Sequence, residues 1–260
     1  EDYGNHNGYG TPRYSLSDGI VNVKYPTQKQ IKKKWKSLKM KGIFSKADKM
    51  AKKPKNSGKC SLGKVSDATL KDAVNVLNMY RFIAGVPSNV VIDKSYQELA
   101  QAAAVVNYND KSSWISHYPN KARGMSDSLY EKGKNGASSS NLAAGYGNIK
   151  KSIFGWMSDS DSSNVDRLGH RRWCINPTMD STGFGIDGNV YSMYAFASNN
   201  TDGSEVHGVA WPAKNTPIEM WDKYDAWSIS MGVDVPSSTK VTLTRVKDNK
   251  TWKFSTNSSS

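Results

Sequence analysis

The sequence predicts an α+β protein, and three observations lead there. Two segments in the first half, 66–87 and 95–107, space their apolar residues three and four apart, the period of a helix with one buried face. Beyond residue 177 the period falls to two, as in strands with one face covered. The helical signals come before the strand signals instead of alternating with them, which argues against βαβ units and a parallel sheet.

Residues 1–23 are rich in Gly, Asn, Tyr and Ser without an apolar period, the composition of a flexible or surface-pinned leader. The opening EDYGNHNGYG lacks an initiator Met, as expected where an export signal has been removed. Between Tyr25 and Lys64, Ile31, Trp35 and Leu38 fall at helical spacing among lysines and predict a short cationic amphipathic helix. Ser66 or Asp67 then caps a helix carrying Leu70, Val74, Leu77, Tyr80 and Ala84, which Gly85 and Pro87 stop. A second helix runs from Ser95 to about Asn107, its alanines permitting close approach of a neighbour, and shorter helices are expected at 126–133 and 148–157. STGFGIDGNVYSMYAFAS alternates about Asp187-Gly188-Asn189 and reads as a β-hairpin. Three further strands follow in AWSISMGVDV, KVTLTRVKD and KTWKFSTN. The chain thus divides into a lysine-rich arm (1–66), a central domain (67–205) and a β-rich C-terminal extension (206–260).

Charge is unevenly distributed. The net charge is +13, of which residues 1–66 carry +12 and the rest +1. Residues 24–64 either dock on the following domain with their lysines solvated or adhere to an anionic cell-wall polymer or membrane surface. Lysine predominates over arginine and no recognition fold is legible, which makes nucleic acid an unlikely partner. No apolar run approaches the ~18 residues of a membrane span, so no transmembrane segment is expected. The only two cysteines, Cys60 and Cys174, exclude a disulfide-dense scaffold and a four-cysteine zinc site.

Several stretches resemble one family in the correct order. LNMYRFIAGVP (77–87) and YQELAQAAAVVN (96–107) are similar to its first two helices; SSNLAAGY (139–146) resembles its Gly-Glu-Asn-Ile-Ala segment; GHRRWCINP (169–177) followed by STGFG (181–185) resembles its Gly-His-Arg motif and the next strand. On these motifs the chain is identified as a member of the CAP superfamily (cysteine-rich secretory, antigen 5 and pathogenesis-related 1 proteins, or SCP-like domains), bacterial extracellular type. The resemblance implies a CAP-type α-β-α sandwich, here with a basic N-terminal extension and a C-terminal β extension. It also implies export to the extracellular medium or cell wall, and a cleft lined by two histidines and two acids.

His117, in SWISHYP, matches the first family histidine and His170 the second. Ser140 stands where the first acid belongs, beside Asn141, and the second acid falls near Asp159 or Asp161. The resemblance therefore places His117, His170, Ser140, Asn141 and Asp159 at a degenerate cleft. A catalytic zinc normally has three protein ligands; His117 and His170 supply two, so a divalent metal such as zinc would be held weakly. Four readings follow. The histidines are hydrogen-bonded groups lining a binding cleft for an unidentified ligand; or they serve a hydrolase, with a weak metal or with Ser140 as nucleophile; or the protein carries a lipid or sterol; or Cys174, four residues after His170, joins it at a metal. No HExxH or GxSxG motif supports a zincin or an α/β-hydrolase. Arg171 and Arg172 are expected to point opposite ways, one to an internal acid and one to solvent. In an exported protein Cys60 and Cys174 are the only candidates for a disulfide with one another. The aromatics of 191–254 are expected mainly in the core, with sugar stacking as the other use.

Overall fold

A computed structural model describes residues 23–203, 206–231 and 238–255. The leader lies outside the described residues apart from Val23, as does the end of the first tail strand. In chain order the elements are α1 (Gln28–Ser37), β1 (Met50–Lys52), β2 (Lys64–Val65), α2 (Asp67–Ala84), β3 (Val91–Ile92), α3 (Lys94–Asn109), α4 (Asp127–Ser138), β4 (Ser140–Ala144), α5 (Ile149–Ser158), α6 (Gly169–Cys174), β5 (Ser181–Thr182), β6 (Phe184–Asp187), β7 (Val190–Tyr194), β8 (Val209–Trp211), β9 (Ser228–Ser230), β10 (Lys240–Arg245) and β11 (Lys250–Ser255).

Local chemistry sets the helix ends. Ser66 accepts from the Thr69 amide to start α2, and Gly85 ends it in the left-handed conformation. Asp93 caps α3 through the Ser95 and Tyr96 amides, and Ser126 and Asn148 cap α4 and α5. The helix expected over 126–133 continues to Ser138, and packing explains why. A Cβ on Gly136 would lie 2.0 Å from the Leu99 carbonyl oxygen, so the bare backbone of α4 sits directly on α3.

The central sheet is antiparallel in the order β4–β7–β6, with the predicted hairpin forming β6 and β7. Helices α3 and α4 cover one face; α2, α5 and α6 pack on the other, giving the mixed α-β-α sandwich. The open edge of β6 is closed by side chains. Gln97 and Gln101, one turn apart on α3, each donate to and accept from the strand backbone, at Phe184 (2.6 and 2.8 Å) and at Ile186 (2.9 and 2.9 Å). Two amides thus satisfy groups that an added strand would otherwise pair.

The core draws on residues either side of 67–205. Ile31, Met40, Ile43 and Val65 from the arm, and Val209, Trp211 and Met220 from the C-terminal side, are buried in the same cluster as α2 and α5. Asp48, the only acid among residues 24–64, accepts from the Ile149 amide at the start of α5 (2.7 Å) and pairs with the fully buried Lys150. The apolar residues of the α1 stretch dock, Ile31 fully and Trp35 and the C-cap Leu38 in part. β10 and β11 form a separate hairpin. Of the tail aromatics, Tyr191 and Trp211 are buried, whereas Tyr224 and Trp227 are exposed.

The disulfide expectation is corrected. Cys60 and Cys174 are both free and both buried. Cys60 packs with Val105, Val106 and Met125 on the α3 side, while Cys174 belongs to the main core beneath the other face of the sheet. The sheet layer separates the two thiols. Among the described residues no helix is long and apolar enough to cross a membrane.

Candidate functional site

A cleft of about 530 Å³ opens where four segments meet: the loop after α3, strand β4, the loop between α5 and α6, and α6 itself. His117, Ser140, Asn141, Asp159 and His170 all line it. Two imidazoles 53 positions apart in the chain therefore face one hollow, because α6 lies across the end of β4 and the loop carrying His117 folds over it.

Each imidazole is held from behind. His117 donates from Nδ1 to the Ala137 carbonyl oxygen (2.7 Å) at the end of α4. Burial pulls its pKa below the ordinary value; the Ala137 hydrogen bond opposes that shift, and the neighbouring His170 adds to it. His170 donates from Nδ1 to Asp159 Oδ1 (2.8 Å). Asn164 joins the cluster by donating its amide to the same carboxylate oxygen (2.6 Å). Asp159 also accepts from the Arg171 amide through Oδ2 (3.2 Å), so a buried carboxylate fixes both the ring and the turn of α6 that carries it. With Nδ1 engaged in both residues, Nε2 is the nitrogen left to serve the cleft.

The backbone is bent to allow this. Asp159, at the end of α5, and Leu168, before α6, both adopt positive φ, 48° and 49°. Aspartate tolerates this region; a branched apolar side chain seldom does, so Leu168 stores strain beside the site. The two acids that sequence could not separate now have distinct roles. Asp159 reaches His170, whereas Asp161 lines the cleft and accepts from the amide (2.8 Å) and hydroxyl (2.5 Å) of Ser163, which hold it below the usual carboxylate range.

The other sequence candidates sort as follows. Asn141 is buried and donates to the His170 carbonyl oxygen (3.0 Å) and toward Cys174 Sγ (3.6 Å), fastening β4 to α6. Ser140 Oγ is sealed from solvent and makes no hydrogen bond. Lacking an imidazole partner, it is not placed for nucleophilic attack. Cys174 is fully buried behind the cleft lining, and burial raises its thiol well above the ordinary range. Arg171 is also buried, but its acceptors are the carbonyl oxygens of Met157 (2.6 Å), Ser158 (2.9 Å) and Ala226 (2.7 Å) and the Ser228 hydroxyl (2.9 Å), in place of the expected acid. Arg172 lines the cleft instead of facing bulk solvent.

Asp159 stands behind His170 as its hydrogen-bond acceptor, and among the described residues no group of three or more His, Cys, Asp or Glu is gathered as a metal site. Sequence reading missed Asn164 and the aromatics Trp114, Tyr146 and Phe196 at the cleft. The Asx- and Ser-rich run before Gly169 signals a loop, but nothing in it singles out Asn164.

Residues 74–199 match the model of the cysteine-rich secretory protein family, CAP. No curated protein and no solved structure matches the chain.

Proposed function

The chain belongs to the CAP superfamily through residues 74–199, and on that premise we propose that it is an exported binding protein of the cell surface or extracellular medium. In this reading the lysine face of residues 24–64 contacts an anionic cell-wall polymer or membrane surface, and the His117/His170 cleft holds a separate ligand. The family is commonly extracellular, which supports export.

One observation carries the reading. The segment 24–64, with 15 lysines against one acid, is fixed to the core, while Lys29, Lys32, Lys33 and Lys36 of α1 point outward. Its only acid is turned inward onto Lys150, so Asp48 does not neutralise those lysines. A fixed array of like charges raises the local concentration of a polyanion without an ordering cost at binding.

Purified teichoic acid and anionic phosphatidylglycerol vesicles are the probes. Binding is expected to fall steeply as salt rises, because exposed charges are screened over ~8 Å at physiological ionic strength. Replacing Lys29, Lys32, Lys33 and Lys36 by glutamine should reduce both the affinity and the salt slope. Binding indifferent to salt, or unchanged in that variant, would contradict the proposal.

A second reading, a hydrolase, has the Asp159–His170 pair in its favour, since a buried carboxylate orienting an imidazole is the arrangement of a general base. It lacks a nucleophile, which would have to be water. Should a divalent cation enter, His117 and His170 would be its protein ligands and it would polarise that water. Lipid or sterol carriage draws less support, because Ser, Asp, Asn and Arg side chains interrupt the apolar lining of the cleft.

A further inference from the structure

The mouth of the cleft carries aromatic rings that the histidine pair does not use. Trp114 is 71% exposed, Tyr146 45% and Phe196 39%, and all three line the cleft although they come from the loop after α3, the turn after β4 and the segment after β7. Single exposed apolar side chains are ordinary. Three rings from separate segments around one opening leave apolar area in water that a ligand would cover.

Each ring is also presented on a firm mount. The Trp114 loop is braced by the buried Asp110, whose carboxylate accepts from Ser112, Ser113 and the Asn120 amide, and by the Ser116 amide donating to Asn107 (2.7 Å). Tyr146 lies on the bare backbone of α5, where a Cβ at Gly155 would come within 2.3 Å of its Cε1 atom. Phe196 packs against Trp173 with ring centroids 4.6 Å apart. Rings fixed in this way lose little entropy when a flat face stacks on them.

Between the rings the lining is mixed: Ile115, Leu142 and Trp156 alternate with polar side chains, Asp161, Ser163, Arg167 and Arg172 among them. An acyl chain would strip water from these polar and charged groups and offer them no hydrogen bond in return. A sugar ring offers both surfaces: an apolar C–H face for an aromatic ring and a hydroxyl rim for carboxylate and guanidinium. We infer that the cleft binds a carbohydrate chain, with Trp114, Tyr146 and Phe196 as stacking platforms and the polar groups between them reading the hydroxyls. The cleft volume falls among small-ligand sites of roughly 300–1,000 Å³ and admits a short oligosaccharide. This inference rests on the reading of the cleft as a binding site and names its ligand class.

The test titrates soluble chitotetraose, cellotetraose and maltotetraose into the full chain by calorimetry, with tryptophan fluorescence in parallel. At least one should bind saturably and independently of salt. Affinity should drop about tenfold in Trp114→Ala and again in Tyr146→Ala, both exposed positions whose loss leaves the thermal midpoint unchanged. Gly155→Ala should weaken binding in the same direction by displacing Tyr146. No binding by any of the three sugars, or binding indifferent to both aromatic substitutions, would overturn the inference. If the sugars fail while phosphatidylcholine micelles or a tyrosine-rich peptide shift the His117 and His170 resonances, the cleft is a binding site and only the carbohydrate assignment falls. Loss of polyanion binding would strike the lysine face alone and leave this titration unchanged.

Discussion

Replacing Arg81 by methionine is expected to destabilise the protein by about 4 kcal/mol or more, the largest stability effect of any single substitution proposed for this chain. Its guanidinium is fully buried and donates to the carbonyl oxygens of Pro87 (2.8 Å), Cys174 (3.1 Å), Asn176 (2.7 Å) and Met179 (3.2 Å). Methionine keeps much of the apolar stem but takes the donor from the Pro87, Cys174 and Met179 carbonyls and leaves Asn176 with the Met179 amide (3.1 Å), at ~1–3 kcal/mol for each buried group left unsatisfied. Those costs are not additive, which is why the expected total is below their sum. Cys174 is the last residue of α6 and Asn176 and Met179 follow it, so the same change should loosen the helix that presents His170. Lysine restores a charge without the planar fork and should recover only part of the loss. Urea denaturation measures this directly; a loss under about 1 kcal/mol would mean the carbonyls find other partners and that the clamp is unimportant.

The second large effect belongs to Asp159. Asp159→Ala removes the acceptor of His170 Nδ1, the Asn164 amide and the Arg171 amide, and puts alanine at a positive φ that aspartate and asparagine tolerate better. A loss of about 3 kcal/mol is expected, together with loss of cleft binding. Asp159→Asn separates the two consequences. It keeps the shape, the backbone preference and one oxygen acceptor, so most of the stability should return. The ring, no longer held by a carboxylate, should still bind poorly. Under the hydrolase reading the same variant would lose ~10²–10⁴-fold in turnover. Full cleft affinity in Asp159→Asn would show that the carboxylate does not position His170.

Much of the fold was legible because its signals are local. The caps at Ser66 and Gly85, the spacing of Leu70 to Ala84, and the alternation about Asp187-Gly188-Asn189 each act within a few residues, and α2, β6 and β7 form where those patterns lie. What was not legible depends on which surfaces meet. Gln97 and Gln101 look like solvated helix positions until the edge of β6 is set beside them. Trp211 reads as part of a trailing β module, yet it is fully buried beside Tyr80 of α2, with ring centroids 5.3 Å apart. The pairing of Cys60 with Cys174 was an argument from number alone, and the intervening sheet decides against it.

The site followed the same division. Motif order brought His117 and His170 to one cleft, but Asp159 and Asp161 are two residues apart and chemically alike. The left-handed turn at Asp159 is what sends one carboxylate inward to the imidazole. Trp114 and Tyr146 carried no periodic signal because their segments are a loop and a turn, and Phe196 lies at the end of the alternating stretch 181–198, where alternation does not separate a cleft ring from a core one. An exposed aromatic and a core aromatic look the same in a sequence.

The claim on which the rest depends is that two distant imidazoles share one hollow closely enough to feel each other's charge. A ¹⁵N-detected pH titration of His117, in the native chain and in His170→Gln, measures this most directly. The account predicts an apparent His117 pKa below the ordinary 6.5, a neutral ring protonated on Nδ1, and a rise of that pKa when His170 is replaced. A His117 titration at the ordinary value, or one identical in both proteins, would contradict it.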